Sequence, residues 1–382
     1  MGALPALTSA GRAVLGGSVA LGATGWGLGH RELVTAALVG AVAVALAVPW
    51  GWATPAADAG RTVAPERVTR GDDAEGHLRV RRGGGWQPAL VIRDRVAGAP
   101  LDTPVPGRVD GTFEARYRLP TERRGAIPIG PLSAVRSDPL GLVASTRQLA
   151  PATTLWVQPR VHAVTPLGSG RRRDLEGPTE DRASGSITFH ALREYVPGDD
   201  LRLVHWLSTA RTGTLMVRQQ VDPSQPHTTI VVDSRRRAYE GDAFEDAVDA
   251  AASLVVASTS RRFPVRLLTT GGLVAGGRRG QTQARPLLDE LTVLAPSGSG
   301  ARTLPDVAGA ASEPAGRCLV VITGRPHDGE LDAVRAQAGQ LATLAVVRID
   351  PAAEAGAARA DGVVDVVAPD AEQFARLWCL VT

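Results

Sequence analysis

LREYVPGDDLRLVHWLSTARTGTLMVRQ, from Leu192 to Gln219, crowds charge, a histidine and a tryptophan around a tight turn. Pro197-Gly198 suits the two central positions of a type II turn: proline presets φ and glycine accepts the positive φ that follows. Two arms are therefore expected to fold back on each other. Ile187 to Leu192 reads as extended, Leu201, Val204 and Leu207 recur at helical spacing, and Leu215-Met216-Val217 returns to strand. Arg193, Glu194, Asp199, Asp200, Arg202, His205 and Arg211 carry more hydrogen-bonding capacity than a surface loop needs, and Trp206 is expected to anchor them apolarly. The default role is an ion-pair network fixing an irregular segment. A docking surface for a partner comes next, and catalysis last.

Upstream, Gly168 to Gly185 is a polar connector, and the stretch before it is β-like. HLRVRR, PALVIRD, FEARYRL, AIPIG and TLWVQP are short runs that alternate or carry β-formers between turn residues, which predicts an all-β sandwich over residues 55–165. Further upstream, Ala13 to Gly29 and Leu33 to Trp50 hold no charge and are joined by His30-Arg31-Glu32. Each would reach about 25 Å as a helix, the short end of a bilayer crossing, so residues 1–54 read as a transmembrane helical hairpin. Gly16, Gly17, Gly22, Gly25 and Gly29 would let the two backbones approach, and Trp26, Trp50 and Trp52 sit where interface anchors belong. A cleaved leader is the competing reading of the same segment. Arg12, Arg61, Arg67 and Arg70 flank the spans and place both ends in the cytoplasm.

Downstream, Thr228 to Val232 is a buried strand that runs into Asp233. Asp242 and Glu245 are spaced as a capping pair for a helix with an apolar stripe from Phe244 to Val255. Strand then alternates with helix to the C-terminus, interrupted by the Gly/Ser/Ala-rich excursion Pro296 to Pro314, which predicts a mostly parallel sheet over residues 227–382. Residues 166–226 form the connector and the polar segment between the two domains.

The 382 residues carry a net charge of +3, too weak a field to draw nucleic acid, and the Arg pairs lack the interleaved aromatics of a single-strand track. Cys318 and Cys379 are too few for a disulfide framework.

The run Arg193-Glu194-Tyr195, Pro197-Gly198-Asp199-Asp200, Arg202, His205-Trp206, Thr209-Ala210-Arg211 and Leu215-Met216-Val217 resembles the signature of the bacterial domain of unknown function 58 family. The resemblance covers most of the chain. It implies a membrane hairpin, a β-rich region, the signature and an α/β domain similar to von Willebrand factor A, working beside a MoxR-type AAA+ ATPase. Arg124-Gly125, Gly130-Pro131 and Asp138-Pro139-Leu140-Gly141-Leu142 match turns of the family's β region and receive no chemistry.

A von Willebrand A domain usually places Asp-x-Ser-x-Ser after its first strand, because a divalent cation wants several oxygens from one short turn. Here Arg235 and Arg237 take both hydroxyl positions, so the site at Asp233 is degenerate, no metal or cofactor is expected, and Asp233 should pair with a neighbouring Arg. The chain has no Gly-x-Ser-x-Gly, phosphate loop or His-Glu-x-x-His. His190, His205, Asp199 and Ser208 could be drawn as a hydrolase constellation, but sequence spacing does not establish their geometry. The expected function is a membrane-anchored, non-enzymatic scaffold or adaptor that touches lipid and a MoxR-type partner. The alternative is a cell-envelope enzyme with its site at residues 193–211.

Overall fold

A short strand, β1 (Ala6–Leu7), leads into two helices, α1 (Ser9–Leu28) and α2 (Arg31–Trp52). The computed structural model describes residues 6–52, 58–81, 90–106, 112–167, 189–195, 204–220, 227–276, 280–298, 300–311 and 318–382. They divide into two units, Met1–Gln158 and Pro159–Thr382. The Thr8 hydroxyl caps α1 by accepting from the Gly11 N–H, and Gly29 ends it at φ 72°. Arg31–Pro49 of α2 is long and apolar enough to cross a membrane. Gly11, Ser18, Gly25, Ala37, Val44 and Ala47 are buried, whereas Val19, Trp26, Leu38, Val39 and Leu46 face outward.

Small residues set the helix spacing. A Cβ on Gly25 would lie 2.9 Å from the Leu33 Cβ and 3.0 Å from the His30 carbonyl, and one on Gly40 would lie 2.2 Å from the Ser18 hydroxyl. Of the five glycines singled out in the sequence, Gly22 and Gly25 face α2, Gly16 and Gly17 look into open space, and Gly29 serves as the cap. Gly40 does the work expected of Gly16 and Gly17, because the helices cross with Ser18 opposite it. Gly25→Leu should force the helices apart and cost about 1–3 kcal/mol, read as a lower unfolding midpoint of the full chain in detergent.

The remainder of the first unit is β2 (Asp58–Ala64), β3 (Arg67–Thr69), β4 (Glu75–Arg81), β5 (Leu90–Val96), β6 (Ala99–Val105), β7 (Thr112–Arg118), β8 (Gly125–Ile129), β9 (Leu132–Ser137), β10 (Val143–Ala150) and β11 (Thr153–Gln158). Among the described residues they form an eight-stranded sheet in the order β1-β10-β9-β5-β8-β11-β3, with β6 on β5, and a three-stranded sheet β2-β4-β7. Alternation along β4 and β5 gives each strand one buried face. Ala59, Leu78 and Val80 of the smaller sheet thus meet Leu90, Ile92, Leu132 and Ala134 of the larger. The helices are fastened to this unit. Leu7 pairs with Val143 in register, Val44 and Ala47 cluster with Leu142 and Val143, and a Cβ on Gly11 would lie 2.0 Å from the Leu142 carbonyl oxygen.

In the second unit, β12 (Phe189–Glu194) pairs antiparallel with β13 (Met216–Gln220), and α3 (Trp206–Thr212) lies between them in sequence. These are the two arms expected to fold back. After them come β14 (Thr228–Val232), α4 (Ala243–Ser260), β15 (Val265–Thr269), β16 (Val274–Ala275), α5 (Ala284–Val293), α6 (Leu304–Ala311), β17 (Cys318–Thr323), α7 (Glu330–Arg335), β18 (Thr343–Ile349), β19 (Gly356–Ala360), β20 (Val363–Ala368) and α8 (Ala371–Val381). The sheet runs β16-β15-β14-β17-β18-β20-β19, parallel except at its two edges. Residues of α4, α5 and α8 share one core with Ile230, Val320 and Val347, while those of α6 and α7 share another with Val231, Val321 and Val346. Helices therefore cover both faces, which is why the central strands read as unbroken apolar runs.

Residues 159–167, divided in the sequence reading between sandwich and connector, lie against this second unit. The Arg160 N–H donates to the Asp249 carboxylate at 2.9 Å, Trp378 Nε1 donates to the Thr165 carbonyl at 2.8 Å, and Leu167 is buried in its core. Asp242 occupies the N-cap of α4 but makes no side-chain capping bond, because its φ of −92° and ψ of 6° are not the extended geometry that capping requires. The excursion Pro296 to Pro314 contains α6, which the sequence reading did not resolve.

Candidate functional site

Strand order reverses between β14 and β17, and in an open parallel sheet the crevice beyond the carboxyl ends at such a point is where sites form. Asp233 follows β14 there and is fully buried. Its Oδ1 accepts from Arg235 Nε at 2.8 Å, the Arg235 N–H at 3.1 Å and Thr270 Oγ1 at 3.2 Å, and its Oδ2 accepts from Arg235 Nη2 at 2.8 Å and Thr323 Oγ1 at 2.9 Å. Ser234 completes the floor, hydrogen-bonded to Thr270, Ser297 and the Gly271 N–H. The neighbouring Arg foreseen for Asp233 is thus Arg235, buried with its carboxylate. On its other edge, Arg235 donates from Nη1 and Nη2 to both Glu330 oxygens at 2.7 Å. One guanidinium holds two carboxylates in fork geometry. It lies against Asp233 in the crevice, beside the hydroxyls of Thr270 and Thr323 that share the same carboxylate. Among the described residues no group of three His, Cys, Asp or Glu is arranged to hold a metal ion.

The Arg235 guanidinium holds the Glu330 carboxyl below its ordinary value, against the opposing effect of burial. A carboxyl depressed in the folded state contributes stability that is fully present above its ordinary value of 4.5 and is lost as pH falls through the lower folded value. Glu330→Gln should therefore cost about 1–3 kcal/mol at neutral pH, and its deficit relative to wild type should narrow in acid. Denaturant midpoints measured across that range check the sign.

Beside this cluster lies a cleft of about 310 Å³ lined by Arg325, His327, Asp332, Arg335, Arg348 and Asp350. Its charges are largely paired: Arg325 bonds Asp350 at 3.1 Å and also Glu240, and Arg335 bonds Asp365 at 3.0 Å and Asp332 at 3.2 Å. The Arg325 guanidinium holds the Asp350 carboxyl below its ordinary value. The cleft is a mixed-charge surface of ion pairs.

The polar segment 193–211 divides. Arg193 and Glu194 lie in β12 opposite Val217 and Met216, and the Tyr195 N–H donates to the Leu215 carbonyl at 2.8 Å. Pro197, Gly198, Asp199, Asp200 and Arg202 lie outside the described residues, so the turn and the two aspartates do too. His205 is the N-cap of α3: its Nδ1 lies 2.8 Å from Ser208 Oγ and accepts from the Ser208 N–H at 3.3 Å. Thr209 Oγ1 accepts from the Met216 N–H at 3.0 Å, which fixes α3 on β13. Trp206 does not anchor the segment. It is 69% exposed and Leu207 is 63% exposed, because the helix is tied down through His205 and Thr209 and turns both side chains outward. Arg211 and Glu194 are exposed as well. Of the drawn constellation, His205 and Ser208 meet, as neighbours three apart in a capped turn.

Sequence reasoning found Asp233 but missed Glu330 and Thr270. Glu330 reaches Arg235 from the start of α7, and Thr270 and Thr323 reach Asp233 from a loop and a strand end, elements that only the sheet topology brings together.

The family model described as "Protein of unknown function DUF58" matches residues 191–378, which spans the polar segment and nearly all of the parallel sheet. No curated protein matches the chain. Among solved structures, the chain is similar to the CARDB domain of the PF1109 protein in complex with di-metal ions from Pyrococcus furiosus, at 16% identity and a TM-score of 0.20 over 26% of this chain and 89% of that one. It is also similar to Cwp6 from Clostridium difficile, at 8% identity and a TM-score of 0.15 over 77% of this chain and 37% of that one. Likenesses this distant carry no argument about fold or function.

Proposed function

We propose that this chain is a membrane-anchored, non-enzymatic scaffold or adaptor that works with a MoxR-type AAA+ ATPase in the assembly or maturation of other proteins or of the cell envelope. The observation that carries the reading is α3. A capped helix inside the family-matched segment turns a tryptophan and a leucine to solvent, and exposed aromatic anchors of this kind are what partner surfaces use. The α/β unit is read as a von Willebrand A-like domain whose cation seat is filled by Arg235. The two N-terminal helices are read as a hairpin crossing the bilayer twice, with both soluble units in the cytoplasm, supported by the apolar outward faces and by Arg12 and Arg67 at the flanks.

A second reading, an envelope enzyme at residues 193–211, draws on the 2.8 Å contact between His205 Nδ1 and Ser208 Oγ. The two readings separate in one set of measurements. The full chain in lipid nanodiscs should bind a purified MoxR-type ATPase saturably, and Trp206→Ala with Leu207→Ser should weaken that binding by roughly tenfold or more, the scale of an interface anchor. Wild-type protein that binds no such ATPase overturns the adaptor. Turnover of an envelope-derived substrate that is lost in a folded His205→Ala chain installs the enzyme.

A further inference from the structure

We infer that the β9–β10 turn, Asp138 to Leu142, is a lipid-inserting tip by which the β unit seats itself on the bilayer, with Leu140 as the inserted side chain. The inference rests on the reading of α1 and α2 as membrane helices and adds a contact that reading does not contain.

Direction comes first. β1 runs antiparallel to β10, with Ala6 opposite Ala144 and Leu7 opposite Val143. The chain therefore leaves Leu7 for α1 in the direction in which β10 runs back into its turn. The chain thus enters α1 on the side of the β9–β10 turn, where the Thr8 N–H donates to the Leu142 carbonyl at 3.0 Å.

Depth follows from the contacts. Gly11 abuts the Leu142 carbonyl, and the charge-free run of α1 begins two residues later at Ala13, about 3 Å further along the helix. On α2, Val44 packs in the cluster with Leu142 and Val143 and lies about 8 Å of helix inside the Pro49 end of the apolar segment. The two contacts bracket the end of the apolar segments, one just outside it on α1 and one just inside it on α2, which puts the turn at the boundary between headgroups and acyl chains. Arg12 beside it is exposed and can extend its guanidinium to lipid phosphate.

The chemistry of the turn fits that depth. Leu140 is 66% exposed at the tip, next to exposed Pro139. Backbone polar groups entering lipid must be satisfied from within. Here the Leu140 and Val143 N–H groups donate to the buried Asp138 carboxylate at 2.8 and 2.6 Å, and the Gly141 N–H donates to the Asp138 carbonyl at 3.0 Å. The Gly141 and Leu142 carbonyls accept from the Thr8 hydroxyl and N–H at 2.6 and 3.0 Å. The Leu140, Gly141 and Val143 donors are thereby met from within the turn, as insertion requires.

The test uses the full chain in vesicles of phosphatidylcholine and phosphatidylglycerol. Cys318 is buried, with its thiol pushed up to about 11 by desolvation, so replacing exposed Cys379 with Ser leaves no reactive native thiol. An environment-sensitive fluorophore is then attached at Leu140→Cys or, in a separate chain, at Leu38→Cys on the outward face of α2. The expected result is blue-shifted emission quenched by doxyl-labelled lipid at both positions. Quenching at 38 with water-like, unquenched emission at 140 overturns the inference and leaves the anchor standing. Water-like emission at both positions overturns the anchor, and the inference with it. If Leu140→Cys does not fold, Pro139→Cys occupies the same tip and is read in the same way.

Discussion

Arg235→Ala should destabilise the α/β unit by about 3–5 kcal/mol, because it strips the counter-charge from a carboxylate that has no access to water. Asp233 is fully buried, and Arg235 supplies three of the five hydrogen bonds it accepts. The two threonine hydroxyls that remain do not neutralise the charge. Glu330 loses the same partner, which removes the ion-pair link between α7 and the β14 loop. Replacing Asp233 and Arg235 together with apolar residues of matching volume should recover most of the loss, since the penalty comes from one unpaired charge and not from the absence of the pair. The single variant also opens a seat lined by Asp233, Thr270 and Thr323. A hard divalent ion binding there would raise the variant's midpoint by mass action, so added Mg²⁺ should partly rescue Arg235→Ala and leave the wild type unmoved. Thermal unfolding of both proteins with and without Mg²⁺ checks both claims. A wild-type midpoint that climbs with Mg²⁺ would show that the guanidinium does not fill the seat.

The legibility of this cluster in the sequence stops at the range of a strand. Thr228 to Val232 is a run of β-branched residues that ends in an acid, so a carboxylate at the carboxyl end of a buried strand could be read directly. That Arg235 would be its partner was readable only as a class, and Glu330, ninety-five residues on, was not readable at all. The same limit explains the fold. The central strands of the parallel sheet announce themselves because both faces are buried, whereas β19, GAARA, is an exposed edge strand with no apolar alternation to detect. β6 contains two prolines, which argue against a strand, yet it pairs with β5 alone off the main path of the sheet, where prolines can be accommodated. In α6, Leu304, Val307, Ala308 and Ala311 have the spacing of a buried helical stripe, hidden in a segment dominated by small residues. Trp206 shows the converse error. Aromatic bulk amid charge suggested an anchor, but helix orientation is set by the cap and by Thr209, which no local pattern encodes.

The buried cluster of the β unit gives the second large expected effect. Arg61→Ala should cost about 3–5 kcal/mol, again by leaving a buried carboxylate unpaired. Arg61 and Asp94 are only 1% and 4% exposed and meet at 2.8 Å. Arg61 belongs to β2 of the smaller sheet and Asp94 to β5 of the larger, so their bond crosses the interface between the sheets. Arg61 also donates to Thr153 Oγ1 at 2.8 Å and to the Pro151 carbonyl at 3.1 Å, and the Tyr117 hydroxyl of β7 donates to the other Asp94 oxygen at 2.5 Å. Room for the guanidinium is made by Gly130, where a Cβ would come within 2.8 Å of Arg61 Nη1 and where φ is 104°. Tyr117→Phe removes one donor and keeps the ion pair, so its cost should be smaller, about 1–3 kcal/mol. Burial, reinforced by Asp94, raises the Tyr117 phenol above its ordinary value of 10, so the stability tied to its proton is present below that value and is lost as pH rises through the higher folded one. The deficit of Tyr117→Phe should accordingly shrink in strong alkali while that of Arg61→Ala persists. Denaturant midpoints of the three chains at neutral and alkaline pH decide the matter, and an Arg61→Ala chain that unfolds at the wild-type midpoint would show that the two sheets are held by their apolar core alone.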